Sequence, residues 1–417
     1  MAQLSDDCFA FGGRLATAAE ALAELDRRLD VVVETETVAL RDAHGRILAE
    51  DVVAGRAVPP HDNAAVDGFA VNFADLQADR DTRLRIVGRA AAGHPFAGAV
   101  AAGEAVRVLT GAPMPAGPDT VMMQEDCRTE GDAVFVPPGI KRGANRRKAG
   151  EDVAAGATIL ARGRRLRPQD VGLAASVGCR TLKVRRPLRV ALFSTGDEVR
   201  DVGAALAPGC VYDANRYVLA GLLARLGCRV GDLGILPDRR EAVHAALADA
   251  AAGHDLIVTS GGVSTGDEDH VRDAVAAQGS LHFWRLAVRP GRPIAFGQVG
   301  RVPFVGLPGN PVAMMVTFLR FARPAILKLS GAAAEPPPFF RVRAAFDYRK
   351  KEGRREWIRV RLTPGADGIH DARKFVRDGA GILTSMVESD GLVELPEDLT
   401  RVEAGTIVDF LPFNEVI

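Results

Sequence analysis

The fold is decided by Leu188-Arg-Val-Ala-Leu-Phe-Ser-Thr-Gly-Asp-Glu198 and Asp255-Leu-Ile-Val-Thr-Ser-Gly-Gly-Val-Ser-Thr-Gly-Asp-Glu-Asp269. Each is a short apolar run that breaks into a polar, glycine-rich turn. Between and around them the pattern alternates. Asn215 to Leu226 carries Val218, Leu219, Leu222, Leu223 and Leu226 at helical spacing. Val230 to Ile235 reads as a strand and Arg239 to Ala252 as a helix. Pro311 to Lys328 reads as one long apolar helix, with proline at its start where a missing N–H costs nothing. Strands alternating with helices of this length predict a parallel sheet covered on both faces, a three-layer α/β/α domain.

A third loop, Gly306-Leu-Pro-Gly-Asn-Pro311, follows another apolar run. Ligands of open parallel sheets bind beyond the carboxyl ends of the strands. Glycine lets backbone N–H groups approach an anion. Acids in the same loops would repel a phosphate unless a divalent cation lay between. Taken singly, each loop is as readily an ordinary turn. Three in one domain point instead to a phosphorylated ligand accompanied by Mg²⁺. None is a standard nucleotide fingerprint: GxxxxGK[ST] is absent and the second loop does not fit GxGxxG. Downstream, Arg285, Arg289 and Arg292 form a basic cluster. In a continuous strand, residues 285 and 289 share one face, which suits an oxyanion or a solvated edge.

Working outward, Leu15, Ala18, Leu22, Leu25 and Leu29 lie on one face of an opening helix. Thr17 and Glu20 have capping-box spacing. The next stretch, to about residue 150, is rich in Gly, Pro and short β-branched runs and reads as a mostly β module. It holds Pro59-Pro-His-Asp-Asn-Ala-Ala-Val-Asp-Gly-Phe-Ala70, Leu109-Thr-Gly-Ala-Pro-Met-Pro115, Met122-Met-Gln-Glu-Asp126 and Gly150-Glu-Asp-Val153. After the Pro-rich Ala334 to Pro338, the runs Phe340 to Tyr348, Glu356 to Leu362 and Leu392 to Leu395 predict a small C-terminal β-barrel.

Composition narrows the function. Lys+Arg and Asp+Glu number 53 each, without the basic excess expected of a nucleic-acid or membrane-surface binder. Five cysteines without a CxxC argue for reduced thiols in a cytoplasmic protein. No signal peptide and no run of about 20 apolar residues is evident. The eight histidines lack metal spacing.

These motifs together resemble the MoeA family, which includes the E domain of gephyrin. Pro59 to Ala70 resembles the family's PP-x-DNSAMDGYA segment, with Ala64, Val66 and Phe69 substituted. Leu109 to Pro115, Met123 to Asp126 and the GGVS and LPGNP loops also match. The resemblance runs nearly end to end. It implies a molybdopterin molybdenumtransferase, in which molybdate displaces AMP from adenylylated molybdopterin with Mg²⁺. It implies four domains: residues 1–50 with 147–180, 51–146 inserted between them, 181–330 as the molybdopterin-binding domain, and 331–417 as the barrel. It also implies a homodimer whose site is shared between chains, with the molybdopterin adenylyltransferase and acceptor molybdoenzymes as further partners.

Carried over by position, the functional residues are Asp67, Thr110, Glu125, Asp152, Glu198, Asp238 and Asp269, with Glu198 and Asp269 as metal ligands. Substrate contacts fall to Ser194, Thr195, Gly196, Ser260, Gly261, Gly262, Ser264, Pro308 and Asn310. Arg285 and Arg289 stand where the family often has lysines, and Ser385 matches a barrel segment facing the cleft. Two other readings are a molybdopterin adenylyltransferase, which would not need residues 51–146 or the barrel, and a non-catalytic scaffold, which would not need the acids.

Overall fold

The computed structural model describes residues 15–237, 239–261 and 270–417. The opening helix runs Ala18–Arg28. Its Thr17–Glu20 capping box is present, so two otherwise orphaned N–H groups are satisfied reciprocally. Ala16, Ala21, Leu25 and Leu29 sink into the same apolar cluster as Leu188, Leu219 and Phe321.

From there the chain runs out and back along a ladder of short antiparallel pairs. Thr35–Ala39 pairs with Thr181–Arg185, Val52–Val53 with Thr158–Leu160, and Asn63–Ala64 with Arg146–Arg147. Beyond the last rung lies a six-stranded sheet. Its order is Thr120–Met123, Gly68–Val71, Glu104–Val108, Thr82–Ala90, Ala133–Val136 and Arg128–Glu130. Gly68 permits the first pairing, since a Cβ there would stand 1.8 Å from the Met122 carbonyl oxygen.

The central domain is the expected three-layer sandwich, but its sheet is mixed. Arg229–Ile235, Arg189–Ser194, Leu256–Ser260 and Val302–Leu307 are parallel neighbours. Pro293–Val299 then joins antiparallel, and Gly279–Arg285 antiparallel to that. The cause is local. Val299 pairs directly with Val302 across a two-residue turn, a connection only antiparallel strands can make. Side chains alternate between the layers. Val190 and Leu192 face Leu219, Leu223 and the 311–329 helical segment, while Ala191 and Phe193 face Val243, Leu247, Val271 and Val275.

The expected single helix from Pro311 is interrupted. Pro311–Thr317 and Arg323–Leu329 are α-helical, joined by a π-turn at Phe318–Ala322. Pro324 has no N–H for the Arg320 carbonyl. The ladder slips one residue ahead of it, and the Arg323 N–H reaches back to the Phe318 carbonyl.

At the C-terminus five strands close a barrel: Phe340–Ala344, Arg355–Thr363, Asp371–Lys374, Gly391–Leu395 and Ile407–Pro412. Val342, Val360, Val393 and Phe410 fill it. Phe340 to Tyr348 is not one strand. Tyr348–Arg349 pairs separately with Arg401–Val402. The barrel is tied to the α/β domain by Val288–Arg289, which pairs parallel with Arg355–Glu356.

Candidate active site at the carboxyl ends of the parallel strands

Strands Arg189–Ser194, Leu256–Ser260 and Val302–Leu307 end side by side, so their glycine-rich loops emerge together. The Gly261 N–H donates to the Leu307 carbonyl at 3.1 Å. Ser260 Oγ donates to the Pro308 carbonyl at 3.3 Å. Asn215, opening the helix Asn215–Arg225, ties two loops together through one amide. Its Nδ2 donates to Ser260 Oγ at 2.8 Å and to the Gly309 carbonyl at 2.7 Å. The hydroxyls of Ser194, Thr195 and Thr259 are buried without a hydrogen-bond partner. A buried unpaired hydroxyl costs roughly 1–3 kcal/mol, so three at two adjacent strand ends mark a candidate place for a polar ligand. Glu198 is exposed and folds back over Gly196, where a Cβ would lie 2.7 Å from its Oε2.

The next residue along that helix, Arg216, holds the first loop from below. Only 5% exposed, it donates to Asp213 at 3.1 Å, Asp232 at 2.5 Å and Asp201 at 2.7 Å. The Asp213 N–H in turn reaches the Arg200 carbonyl, and the Val211 N–H reaches that of Glu198. Two consecutive residues at one helix start thus brace all three loops. No sequence motif flags them, because a buried arginine looks like any surface one until its carboxylates are brought together by the fold.

A cleft of about 380 Å³ separates these loops from the barrel. Pro308 and Asn310 line one wall with Arg289 and Arg292. Tyr348, Arg359 and Lys374 line the other. Arg289 Nη1 donates to the Tyr348 hydroxyl at 3.2 Å, and that hydroxyl donates to the fully buried Glu356 at 2.6 Å. Burial, then the bond to Glu356, pushes the Tyr348 phenol up to about 12, so it stays protonated. Arg359 donates to the Gly379 carbonyl at 2.8 Å while its Nε is buried and unpartnered.

Arg285 is not brought to this cleft. The strand ends at Arg285, and Leu286, Ala287 and Val288 are all buried, so strand alternation does not carry through to Arg289. Arg289 belongs to the barrel's sheet instead. Ser385 also departs from expectation. Its segment touches the Asn310 loop, where the Val312 N–H donates to the Ala380 carbonyl, but Ser385 itself is fully buried and donates to the Ile382 carbonyl at 2.5 Å.

The other acids sit in the outer module. Asp67 Oδ1 accepts the Thr110 N–H and hydroxyl, each at 2.7 Å. The N–H first, then the hydroxyl, holds the Asp67 carboxyl below the usual carboxylate range. Glu125 is exposed one residue beyond Gln124, whose N–H donates to the Asp67 carbonyl. Asp152 is exposed, and its N–H meets the Val58 carbonyl. Among the described residues, no hydrogen bond or ion pair joins this set to the strand-end set. Asp238, Gly262, Ser264 and Asp269 lie outside the described residues.

Fold and site together define a multidomain α/β protein with a candidate ligand site at the strand ends of its central domain. Comparison with known proteins narrows this class. Residues 16–178 match the MoeA N-terminal region (domain I and II), 191–328 a probable molybdopterin binding domain, and 341–413 the MoeA C-terminal region (domain IV). The chain is 36% identical to the molybdopterin molybdenumtransferase of Haemophilus influenzae, covering 97% of this chain and 100% of that one. It is 35% identical to that of a Nostoc species, covering 91% and 88%. The crystal structure of a molybdopterin biosynthesis MoeA protein from Pyrococcus horikoshii superposes with a TM-score of 0.79 at 30% identity, covering 96% of this chain and 100% of that one. The chain belongs to the MoeA family of molybdopterin molybdenumtransferases.

Proposed function

We propose that this protein is the enzyme of molybdenum cofactor biosynthesis that inserts molybdate into adenylylated molybdopterin, with release of AMP. The observation that carries the proposal is the set of unpartnered buried hydroxyls of Ser194, Thr195 and Thr259 at the joined strand ends of a molybdopterin-binding type of domain. In this reading Ser194, Thr195, Gly196, Ser260 and Gly261 receive the phosphorylated end of the pterin. Asn215 fixes their spacing. The neighbouring cleft offers Arg289, Arg292 and Arg359 to the incoming oxyanion, for which planar guanidinium forks are suited.

Among the described residues, no three His, Cys, Asp or Glu gather into a cage. Magnesium sites of phosphoryl chemistry need only one or two carboxylates, with phosphates and water completing the shell. Glu198, exposed and folded back over Gly196, fits that donor set, with Asp269 as its proposed partner. Bound there, the cation would neutralise charge on the pyrophosphate as AMP leaves.

Asp67, Thr110, Glu125 and Asp152 act on this reading from a second copy of the chain, in a homodimer. Their module has no hydrogen bond to the strand-end loops within one chain, among the described residues. The test is incubation with adenylylated molybdopterin, Mg²⁺ and molybdate. The expected result is molybdate-dependent AMP release and a product that reconstitutes a cofactor-free molybdoenzyme. Formation of the adenylate from ATP and free molybdopterin would make it an adenylyltransferase instead.

A further inference from the structure

The barrel carries a second anion-shaped feature beside the cleft. On its outer face, Arg361 and Arg373 are directly opposite each other in antiparallel register. Their neighbours Val360 and Ala372 point inward to the barrel core, so both arginines stand on the outside, with Cβ atoms about 5 Å apart. Like charges so placed repel, and among the described residues neither arginine's side chain has a hydrogen bond or ion pair. Arg377, exposed nearby, has none either. Other arginines of the barrel region have carboxylates to hand: Arg341 faces Asp409 at 2.7 Å, Arg355 faces Glu394 at 2.9 Å and Glu397 at 2.8 Å, and at the other directly opposed pair, Arg349 and Arg401, Glu403 lies 3.0 Å from Arg401.

The three unpaired arginines line one hollow of about 310 Å³. Its floor includes Ser389, 7% exposed, whose hydroxyl is buried without a partner. The only carboxylate lining it, Glu388, makes no ion pair with them. The hollow adjoins the cleft. Lys374 and Phe375 line both, and Arg359 of the cleft is two residues from Arg361, on the same face of the strand.

From this we infer that Arg361, Arg373 and Arg377, with Ser389, form a binding subsite for a tetrahedral oxyanion on the flank of the barrel, next to the cleft. Repulsion between the opposed arginines is relieved when a dianion bridges them, and guanidinium groups hold such an anion through charge-assisted hydrogen bonds. The anion is either free, as molybdate or phosphate is, or a phosphate group on an organic ligand. The inference extends the proposed function but is tested without turnover, so failure of either is visible separately.

The experiment is calorimetric titration of the full chain at low ionic strength with inorganic phosphate, molybdate and AMP, alongside anion-dependent melting. Arg361→Gln and Arg373→Gln are the test variants, and Arg341→Gln, which breaks the pair with Asp409, is the control. Each test variant is expected to weaken one equivalent of phosphate binding by about 10-fold, since a hydrogen bond to a charged group is worth roughly that factor. Each should also melt higher than the wild-type protein without anion, because a like-charge contact is gone. The control should bind as the wild-type protein does. Equal affinity for phosphate and AMP identifies a free oxyanion as the occupant, and tighter AMP an organic phosphate. Phosphate binding and anion-dependent melting unchanged in both variants would overturn the subsite.

Discussion

The strand-end loops and the Asp67–Thr110 pair meet the same problem, polar groups held in a fixed geometry, in opposite ways. At the strand ends, Ser194, Thr195 and Thr259 keep buried hydroxyls with nothing to bond. In the outer module, Asp67 already has both donors of Thr110 and needs no ligand to be at rest. The first is an incomplete surface that a ligand finishes. The second is a finished tool, its carboxylate ionised and aimed in advance. Substitutions should therefore separate the two: at the strand ends they trade ligand affinity against stability, and at Asp67 they remove chemistry while leaving affinity.

The largest effect expected is on turnover. Asp67→Ala and Glu198→Ala should each lose orders of magnitude in AMP release, yet Asp67→Ala should still bind adenylylated molybdopterin. Mixed and allowed to exchange subunits, the two variants should regain about a quarter of wild-type activity, because half the dimers carry one intact site in a two-fold assembly. A mixture that stays inactive after exchange has been verified by mass spectrometry would assign both residues to one chain's site.

Next is Arg216, which braces the strand-end loop and has no counterpart around Asp67. Arg216→Ala leaves Asp213, itself only 4% exposed, without its cation. Removing one partner of a buried ion pair costs about 3–5 kcal/mol, to be read from denaturant melts. Arg216→Lys should recover only part of it, since one ammonium cannot reach three carboxylates in the guanidinium's fork geometry. A loss below about 1 kcal/mol, the range of an exposed pair, would reduce the brace to a surface contact.

Ser194→Ala tests the other half of the comparison. If the unpartnered hydroxyl is held for a ligand, its removal should leave the free protein as stable or more stable, by up to roughly 1–3 kcal/mol. Affinity for the phosphorylated ligand should fall about 10-fold. A destabilised variant with unchanged affinity would mean the hydroxyl has an internal role.

What the sequence made legible follows the same division. Elements with strong periodicity were readable: Asn215 to Leu226 predicts the helix Asn215–Arg225, and Thr17 with Glu20 predicts its cap. The glycine loops were readable because glycine and acids are contiguous there. The antiparallel hairpin at Gly300–Arg301 was missed, since apolar runs look alike in either direction. The π-turn was missed although Pro324 announces it. The far wall of the cleft was not legible at all. Tyr348, Arg359 and Lys374 meet Arg289 only because the barrel closes, and nothing local in any of the four segments records that.

The smallest effect is at Thr110, and it shows how complete the Asp67 pair is. Two bonds hold the Asp67 carboxyl low, and the main-chain N–H contributes more than the hydroxyl. Thr110→Val removes only the second. The carboxyl should therefore rise partway toward the ordinary aspartate value of about 3.9 and stay below it. The sign follows from which form is held. A depressed value means the ionised form is favoured in the folded chain, so function that needs the carboxylate is present above the ordinary range and is lost as pH falls through the folded-state value. In Thr110→Val that loss should begin at a higher pH than in the wild-type protein, with the neutral-pH rate little changed. Carbon-13 NMR titration of the Asp67 carboxyl reads the shift directly, without requiring turnover in acid. An Asp67 that titrates identically with and without the hydroxyl would mean the N–H alone sets it. A value raised all the way to that of free aspartate would mean the valine has also displaced the backbone, and the pair would then be no more self-sufficient than the loops at the strand ends.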